Sequence, residues 1–279
     1  LGLARRGKGV AVWEFDGRRD HVLLDARARA WFGLPDETAL PVDWWIEHTH
    51  PDDIDAVRDA YRECVEGRTP RYETLSRRRA ADGSWRWMRA VGEALECDRD
   101  GRVARIVGMY EDVDDEIRGE QRLSQLDATF LGFGTDPMAN IRRLVHDAGS
   151  ALGACAALYN RLEGDRLVVR AAWRAADLLN QSSPADGHIC DDLIKEDSRW
   201  TKVIRHLKHS VYAETDPAVR AMNLETYAGH VVRVQGEALG TICVLFRVDR
   251  DLTDAELRYL GLIAAAAGVE EMRGRSESK

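Results

Sequence analysis

Four pairs of turn residues constrain the fold of this chain more than any other feature of its sequence. Asp82-Gly83 and Asp100-Gly101 separate three runs rich in strand-forming residues in the first half, while Gly164-Asp165 and Gln235-Gly236 each separate two runs in the second. Short turns of this kind indicate β-hairpins, and we expect Gly83 and Gly101 to adopt the positive φ that such turns require. Strands joined by short turns pair antiparallel. The sequence therefore predicts an antiparallel sheet in each half.

Helical signals lie between and after these strands. His50–Glu66 is the clearest helix, because a proline suits its first turn and two aspartates follow where the helix dipole favours negative charge. A further helix is predicted at Met138–Leu152, and Thr253-Asp-Ala-Glu256 is a capping box at the start of the last one. The stretch Asp112–Phe133 spaces its apolar residues in a helical way. The predicted fold class is α+β, with two domains, each an antiparallel β-sheet flanked by helices, joined by a connecting helix.

The predicted domain boundaries follow from these elements. A first domain occupies residues 1–115, the connecting helix residues 116–134, a second domain residues 135–272 and a polar tail residues 273–279. With 279 residues the chain is long enough to close two cores. It begins with leucine rather than methionine, and we expect it to be a fragment of a longer protein.

Charge and cysteine content argue against several classes of function. The formal net charge is -8 and neither half is basic, so we expect no binding to nucleic acid. The 5 cysteines are scattered and odd in number, which favours reduced thiols in the cytoplasm over a secreted disulfide framework. No apolar run approaches the roughly 20 residues that span a bilayer. We therefore expect no membrane contact within this fragment.

Three motifs in the first half resemble the PAS family. They are His50-Pro51-Asp52-Asp53, the run Asp82-Gly83-Ser84-Trp85-Arg86-Trp87, and Gly101–Gly108 followed by Glu111-Asp112-Val113. They occur in the order expected for the PAS subgroup whose helix begins with His-Pro-Asp-Asp. In the second half, Tyr227-Ala228-Gly229, Gly236–Gly240 and the capping box resemble the last part of a GAF domain. Both families fold as an antiparallel sheet with helices packed around it, which agrees with the hairpin pattern.

A PAS domain followed by a GAF domain is found in bacterial sensor histidine kinases and related signalling proteins. We expect a homodimer, because Asp112–Phe133 and Leu257–Met272 each present an apolar stripe that parallel helical pairing would bury. The resemblance implies a sensory and regulatory region that binds a small ligand or chromophore. It would relay the signal through its helices to an output domain outside this sequence, either a histidine kinase or a cyclic-dinucleotide enzyme. The identity of any cofactor is unknown from the sequence. The alternatives are a ligand-free dimerisation scaffold and a small-molecule redox enzyme that uses Cys190.

Six side chains in the second half are candidates for lining a ligand pocket. Cavities between a sheet and its covering segment take apolar walls from the strands and a few polar groups from the cover. Strands 154–162, 166–173 and 227–234 and the irregular segment 175–225 would supply these walls. The candidates are Tyr159, Trp173, His188, Cys190, Trp200 and His206. The alternative is that the tyrosine and Trp173 fill the core while the two histidines face solvent.

Metal-binding and catalytic motifs are weak or missing in the sequence. His188-x-Cys190 and His206-x-x-His209 combine ligand types at metal-like spacing, but a surface bearing histidines gives the same pattern, so we assign no metal site. His50 is interpreted as the start of a helix rather than a metal or haem ligand. No GxGxxG, GxxxxGK[ST], GxSxG or HExxH motif is present, and His146-Asp147 lacks the sequence that follows a phospho-acceptor histidine. We therefore expect no catalytic residues and no enzyme.

Overall fold

The computed structural model describes residues 9–35 and 39–277, and their packing divides the chain between Arg118 and Gly119 into two domains. The described residues form two six-stranded antiparallel sheets, one in each domain, with helices packed against them. The predicted α+β fold class is therefore confirmed. In the described ranges, no helix combines the length and the apolar character needed to cross a membrane.

The first domain alternates short strands and helices before a three-stranded meander. In chain order its elements are β1 (Val10–Asp16), β2 (His21–Leu24), α1 (Ala26–Phe32), β3 (Ala39–Pro41), α2 (Val42–Glu47), α3 (Ile54–Val65), β4 (Arg71–Arg79), β5 (Trp85–Cys97) and β6 (Val103–Asp112), followed by α4 (Asp114–Leu131).

Turns and caps in this domain follow the sequence signals closely. Gly83 and Gly101 both have a φ of 80°, as predicted for the turns that join β4 to β5 and β5 to β6. The predicted helix at residues 50–66 is a 3₁₀ turn at Pro51–Asp53 followed by α3. The His50 side chain accepts a hydrogen bond from the Asp52 N–H at 3.3 Å, which confirms that it caps this turn.

The core of the first domain lies between one face of its sheet and helices α1 to α3, and aromatic rings dominate it. The Trp45 ring lies 5.3 Å from the Phe32 ring and 5.1 Å from the Tyr110 ring, which in turn lies 5.7 Å from Trp13. The opposite face of the sheet carries exposed apolar side chains. They are Val10, Val12, Leu23, Leu75 and Met109.

The second domain begins with a long helix and ends with a longer one. In chain order its elements are α5 (Pro137–Ala151), β7 (Ala156–Glu163), β8 (Arg166–Trp173), β9 (Ser182–Pro184), α6 (Ile189–Lys195), β10 (Lys202–Ile204), α7 (Tyr212–Thr215), α8 (Pro217–Ala221), β11 (Thr226–Val234), β12 (Glu237–Phe246) and α9 (Asp254–Glu277).

The two sheets have the same topology. The strand order is β3-β2-β1-β6-β5-β4 in the first and β9-β8-β7-β12-β11-β10 in the second, so each reads 3-2-1-6-5-4 when strands are counted from the start of the domain. The second sheet, however, is covered on both faces. Helices α5 and α9 pack on one face and the segment containing α6 packs on the other, which gives two separate cores.

The end of the chain differs from the prediction in one respect. The capping box is confirmed, because the Glu256 carboxylate accepts from the Thr253 N–H at 2.9 Å and the Thr253 hydroxyl accepts from the Glu256 N–H at 3.3 Å. The last helix was expected to end near Met272 with a polar tail after it, but α9 continues to Glu277. One reason is that Arg273 is held by the backbone carbonyls of Gly134 and Thr135, at 2.9 and 2.7 Å.

Candidate functional site

The segment between β9 and β11 covers one face of the second sheet, and α6 is its central element. The carboxylate of Asp216 caps two helices of this segment and thereby holds α6 in place. Asp216 accepts from the Ala218 N–H at 3.1 Å at the start of α8, and from the Ile189 N–H at 3.1 Å at the start of α6. Because Asp216 is buried, these charge-assisted bonds fix the two helices relative to each other.

His188 immediately precedes α6 and connects this carboxylate to β9. Its Nδ1 lies 3.4 Å from Asp216 Oδ1, and its Nε2 lies 3.2 Å from the Ser183 hydroxyl. The hydrogen bond to Asp216 raises the pKa of His188 above its usual value, against the opposing effect of burial. The imidazole therefore links the start of α6 to Asp216 and to Ser183 of β9.

A group of polar side chains is buried beneath α6, and we call it the thiol cluster. The Asn160 amide donates to the Cys190 sulfur at 3.3 Å and lies 3.7 Å from the Cys243 sulfur. The Tyr227 hydroxyl lies 3.5 Å from the Cys190 sulfur. Thr241 pairs with Asn160 across β12 and β7 and is fully buried. The thiol cluster thus consists of Asn160, Cys190, Tyr227, Thr241 and Cys243.

The two thiols of the cluster lie on either side of the Asn160 amide, and their pKa values shift in opposite directions. The hydrogen bond from the Cys243 thiol lowers the pKa of Cys190, against the effect of burial, and raises the pKa of Cys243 itself. The Thr241 hydroxyl also lowers the pKa of Cys190, although it makes no hydrogen bond of normal length in the described part of the chain. Burial raises the pKa of Tyr227 well above its usual value.

The Tyr227 side chain reaches the cluster because a glycine leaves room for it. Tyr227 and Gly229 lie on the same face of β11, and a methyl group added at Gly229 would approach the Tyr227 hydroxyl to 2.1 Å. The Tyr-Ala-Gly motif that carries part of the GAF resemblance therefore has a direct structural role. It lays the tyrosine along its own strand toward Cys190.

The structure brings together two of the six predicted pocket residues, His188 and Cys190, which flank the start of α6. Tyr159 lies on the opposite face of the sheet, where its hydroxyl donates to Glu271 of α9 at 2.8 Å. Trp173 also packs on that opposite face. Trp200 and His206 belong to the covering segment but are exposed, at 80% for the Trp200 residue and 64% for the His206 side chain. That any of the six binds a ligand stays a prediction.

An irregularity in β8 explains why Trp173 lies on the face of α5 and α9. The pairing of β7 with β8 shifts between Tyr159 and Asn160, which leaves Arg170 as an extra residue in β8. Leu167 and Val169 therefore face α6, whereas Ala171 and Trp173 face the opposite side. Regular alternation would have placed all four on one face.

Three members of the thiol cluster carry no signal in isolation, because none of them belongs to a recognisable sequence motif. They are Asn160, Thr241 and Cys243. Strand alternation offers a partial signal, since Thr241 and Cys243 must share a face of β12. No local signal places that face under α6, because residues 190 and 243 are distant in sequence. Among the described residues, no group of three or more His, Cys, Asp or Glu side chains could hold a metal ion.

The PAS-like motifs of the first domain also come together in space. Arg77 of β4 binds the Asp53 carboxylate through Nε at 2.9 Å and Nη2 at 2.8 Å, and this contact lowers the pKa of Asp53. The guanidinium lies 5.1 Å from the Trp87 ring, and His50 meets the edge of Trp85 at 4.9 Å. The His-Pro-Asp-Asp motif is thus tied to the hairpin that carries both tryptophans.

A comparison with family models decides the identity of this domain. Residues 21–110 match the model of the PAS fold. The first domain is a PAS domain. The match covers the strands and helices from β2 to β6, which include all of the motifs just described, and confirms the resemblance in this half. No curated protein matches the chain at a significant level.

The chain is similar to several solved structures, which cover all or part of it. The chromophore-binding domain of phytochrome P1 from Stigmatella aurantiaca is 14% identical, with 93% of each chain covered and a TM-score of 0.43. A sensory box histidine kinase/response regulator from Burkholderia thailandensis is 26% identical over 47% of this chain and 97% of that one, with a TM-score of 0.38. Free methionine-R-sulfoxide reductase from Neisseria meningitidis is 14% identical over 57% and 93%, with a TM-score of 0.49. Similarity at this level does not indicate what this chain binds.

Proposed function

We propose that this chain is the sensory region of a bacterial-type signal-transduction protein, and that its second domain binds a small ligand at the thiol cluster. One observation supports this proposal above the others. The two cores of the second domain differ in chemistry: beneath α6, the side chains of Asn160, Thr241 and Tyr227 are buried with two thiols, in the part of the fold that the segment between β9 and β11 covers. Buried polar groups that are only weakly hydrogen-bonded are costly unless a partner satisfies them.

The proposed ligand is tested first on protein purified from its own host. An absorbance spectrum combined with native mass spectrometry should reveal a bound molecule as added mass, and as colour if it is a chromophore. Tyr227→Phe should weaken retention of this molecule, because it removes the hydroxyl nearest to Cys190. Tyr212→Phe is the matched control, since its hydroxyl contacts Asp192 on the same cover at 2.9 Å but lies outside the cluster. A native mass equal to that of the polypeptide, with strong self-association, would instead support the ligand-free scaffold.

We propose that the signal passes from the cluster to α9 through neighbouring residues of β7. Asn160 contacts the thiols on one face, and the adjacent Tyr159 contacts Glu271 of α9 on the other. The cover is also attached to α9, because the Thr201 hydroxyl donates to the Leu257 carbonyl at 2.9 Å. Movement at the cluster therefore has two short routes to the last helix, whose end would lead to the output domain.

The relay can be tested without knowing the output domain. Tyr159→Phe should increase hydrogen exchange in the last turns of α9, because Glu271 loses a buried hydrogen bond. Tyr259→Phe is a useful comparison, since its hydroxyl donates to Asp147 at 2.9 Å and ties α9 to α5 at a different point. An identical exchange pattern in both variants would argue against a specific route through β7.

We also propose that the chain forms a homodimer through α9. Its exposed face carries apolar residues at heptad spacing: Leu262, Ala265, Val269 and Met272. Parallel pairing of two copies would bury this stripe. Sedimentation at tens of micromolar should show a dimer, and Val269→Glu should produce a monomer. Leu131→Glu is the control and should leave the dimer intact. Leu131 is exposed near the end of α4.

A second candidate function is thiol redox chemistry, and the shared contact of Cys190 and Cys243 with the Asn160 amide favours it. The Cys190 thiolate would attack a hydroperoxide, break its O–O bond and become a sulfenic acid, releasing an alcohol. The Cys243 thiol would then displace water and form the disulfide, so that the two thiols lose two electrons and two protons in total.

Mass spectrometry distinguishes this redox function from simple ligand binding. Hydrogen peroxide should lower the mass by about 2 Da and link the peptides that contain Cys190 and Cys243, because one disulfide forms. Cys190→Ser should abolish the link, while Cys155→Ser, which lies outside the cluster, should keep it. Failure of the link to form in the wild type would exclude the redox function and leave the ligand proposal standing.

A further inference from the structure

A groove open to solvent runs between the end of α4 and the first turns of α5 in the second domain, and we call it the α4–α5 groove. Its volume is about 530 Å³, which falls within the range of about 300–1,000 Å³ that is usual for small-molecule sites. The groove exists because alanine and glycine leave space where the two helices meet. Its lining residues are Ala128, Thr129, Gly132, Ala139, Arg142, Arg143 and His146.

The α4–α5 groove is basic although the chain as a whole is acidic. The formal net charge of the chain is -8, yet two arginines and a histidine line the groove and no aspartate or glutamate does. On α5, His146 is the surface neighbour of both Arg142 and Arg143, which precede it by one helical turn. Arg142 contacts Asp136 at 3.4 Å, but exposed pairs of this kind contribute little energy. The local charge therefore favours an anion.

Polar groups from both helices reach the groove without partners of their own. Arg143 makes no ion pair and no side-chain hydrogen bond within the described residues. Its Nη1 would lie 3.6 Å from a methyl group added at Gly132, which places it at the end of α4. The His146 and Trp173 rings meet edge to face at 5.9 Å, while the imidazole nitrogens bind no residue of the described ranges. The Thr129 hydroxyl of α4 is likewise without a partner in that part of the chain.

The number of available donors points to a phosphate group rather than a carboxylate. A carboxylate has two oxygens, which a single guanidinium binds through two parallel hydrogen bonds. A phosphate monoester presents three terminal oxygens and carries close to two negative charges at neutral pH, so it accepts from several donors at once. Arginine is favoured at phosphate sites because its planar group makes paired contacts. Arg143, His146 and Thr129 together supply donors for all three oxygens.

We propose that the α4–α5 groove binds the phosphate group of a small molecule, with Arg143 and His146 of α5 and Thr129 of α4 donating to its oxygens. Arg142 adds a second positive charge at the rim. This site goes beyond the proposed function, whose ligand lies on the other face of the sheet, beneath α6. The rival interpretation is structural: Arg143 stabilises the carbonyl end of α4 through the helix dipole and binds no ligand.

A bound phosphate would join the two helices across the junction that connects them. At this junction the Gly132 N–H donates to the Ala128 carbonyl at 3.2 Å, and the Phe133 N–H donates to the Phe130 carbonyl at 3.0 Å. A ligand held by both α4 and α5 should make the opening of these bonds rarer. Hydrogen exchange at Gly132 and Phe133 should therefore slow on binding, which locates the ligand independently of its affinity.

Binding is tested on the full chain by calorimetry at constant ionic strength and about pH 7.5, where phosphate monoesters are dianions. Adenosine 5′-monophosphate and glucose 6-phosphate are the probes, inorganic phosphate tests the group alone, and adenosine and glucose are the uncharged counterparts. Both esters should bind saturably, and the uncharged counterparts at least about tenfold more weakly. Esters that bind more tightly than inorganic phosphate would assign the site to an ester, and equal affinities would assign it to free phosphate. Equal affinity for adenosine and its monophosphate would overturn the proposal.

Arg143→Gln is the direct test of the groove and should weaken the binding of adenosine monophosphate by about tenfold or more. Arg220→Gln is the matched control, because it removes the same charge from an exposed position of the same domain and should leave the affinity unchanged. Thr129→Val keeps the shape of the side chain but removes its hydroxyl, so binding should weaken by about threefold. An equal loss in the two arginine variants would mean that net charge rather than the groove attracts phosphate.

A second pair of variants blocks the groove without removing a basic residue. Ala128→Glu introduces bulk and negative charge at an exposed position of the lining and should abolish binding of the phosphate probes. Ser124→Glu, which lies one turn earlier on α4 and outside the lining, is its control and should keep binding. Unchanged binding in Ala128→Glu would rule out the groove.

The same measurement separates this site from the ligand proposed beneath α6. Tyr227→Phe alters the thiol cluster and should leave the phosphate affinity unchanged, so a loss in that variant would place the phosphate beneath α6 and overturn the assignment to the groove. A wild type without saturable binding of any phosphate-bearing probe would also overturn the proposal. A lowered thermal midpoint for Arg143→Gln would then assign Arg143 to the end of α4.

Discussion

The two domains share a strand order but differ in what covers their sheets. The PAS sheet is packed on one face only and leaves Val12 and Met109 about half exposed on the other, at 47% and 54%. The second sheet has a core on each face, one against α5 and α9 and one against α6. The same strand order thus carries a core on one face of the sheet in the PAS domain, whereas in the second domain the sheet separates two cores.

The interiors also differ, and strand order does not predict how. In the PAS domain, aromatic rings surround the buried guanidinium of Arg78. In the second domain, small polar groups and the thiols of Cys190 and Cys243 occupy the space beneath α6. Topology fixes which strands are neighbours, whereas the side chains on each face decide which chemistry the interior can bind.

The largest expected effect tests the difference in coverage. Leu245→Ala in β12 should cost about 3 kcal/mol of unfolding free energy, because it opens a cavity in the core beneath α6. Met109→Ala in β6, the corresponding last strand of the PAS sheet, should change it by less than about 0.5 kcal/mol because Met109 is exposed. Urea unfolding measures both. A large loss for Met109→Ala would mean that the outer PAS face is covered in solution.

A second prediction tests whether the shared framework is equally tight in both sheets. An alanine methyl at Gly108 in β6 would approach the Val91 carbonyl to 2.3 Å, and one at Gly240 in β12 would approach the Asn160 carbonyl to 2.2 Å. Each Gly→Ala variant should lose about 2 kcal/mol of unfolding free energy, because the backbone of the neighbouring strand must shift. Gly119→Ala in α4 is the control; it meets nothing within 4 Å and should gain about 0.5 kcal/mol. Different losses of unfolding free energy in the two variants would show that one sheet accommodates the added methyl group more easily than the other.

Substitutions in the hairpin turns of the PAS domain should have a smaller effect on its stability. Gly83 and Gly101 each have a φ of 80°, and a side chain at either would meet nothing within 4 Å. Gly→Val at each position should therefore cost about 1 kcal/mol from backbone strain alone. Unchanged thermal midpoints for both variants would contradict the turn assignment.

The smallest expected effect concerns pH and only the second domain. His188 has a raised pKa because it pairs with Asp216, so the pair stabilises the fold fully below the unfolded pKa of about 6.5 and loses this effect as pH rises through the folded pKa. The thermal midpoint of His188→Gln should fall most below wild type near pH 6 and approach it at higher pH. His209→Gln, at an exposed position, should show no such trend. A difference that is constant with pH would exclude the ion pair.

Much of the fold could be predicted because its signals are local. The Asp-Gly turns, the His-Pro-Asp-Asp cap and the capping box at Thr253 each depend on residues within a few positions of one another. Short elements such as β3, β10 and α2 were not predicted, because three to six residues carry too little periodicity to be distinguished from loops.

The candidate sites were harder to predict because their members meet only in three dimensions. Cys190 was identified as a candidate, but its contacts with Asn160 and Cys243 depend on how α6 packs on the sheet. Arg78 could have been found, since alternation from Tyr72 places it on the buried face of β4. A charged residue on a strand is ordinarily exposed, and that expectation argues against the burial that the structure shows for Arg78.

The extra residue in β8 sets a limit on how this domain can change length during evolution. Arg170 is the position at which the strand exchanges its two faces. Deleting it would restore regular alternation and turn Ala171 and Trp173 toward the thiols, where a tryptophan has no space to fill. A substitution in β8 changes the lining at one position, whereas loss of this single residue would exchange the lining of two cores at once. Homologous sequences should keep the number of residues between the Gly164-Asp165 turn and Trp173 constant even where their identities vary.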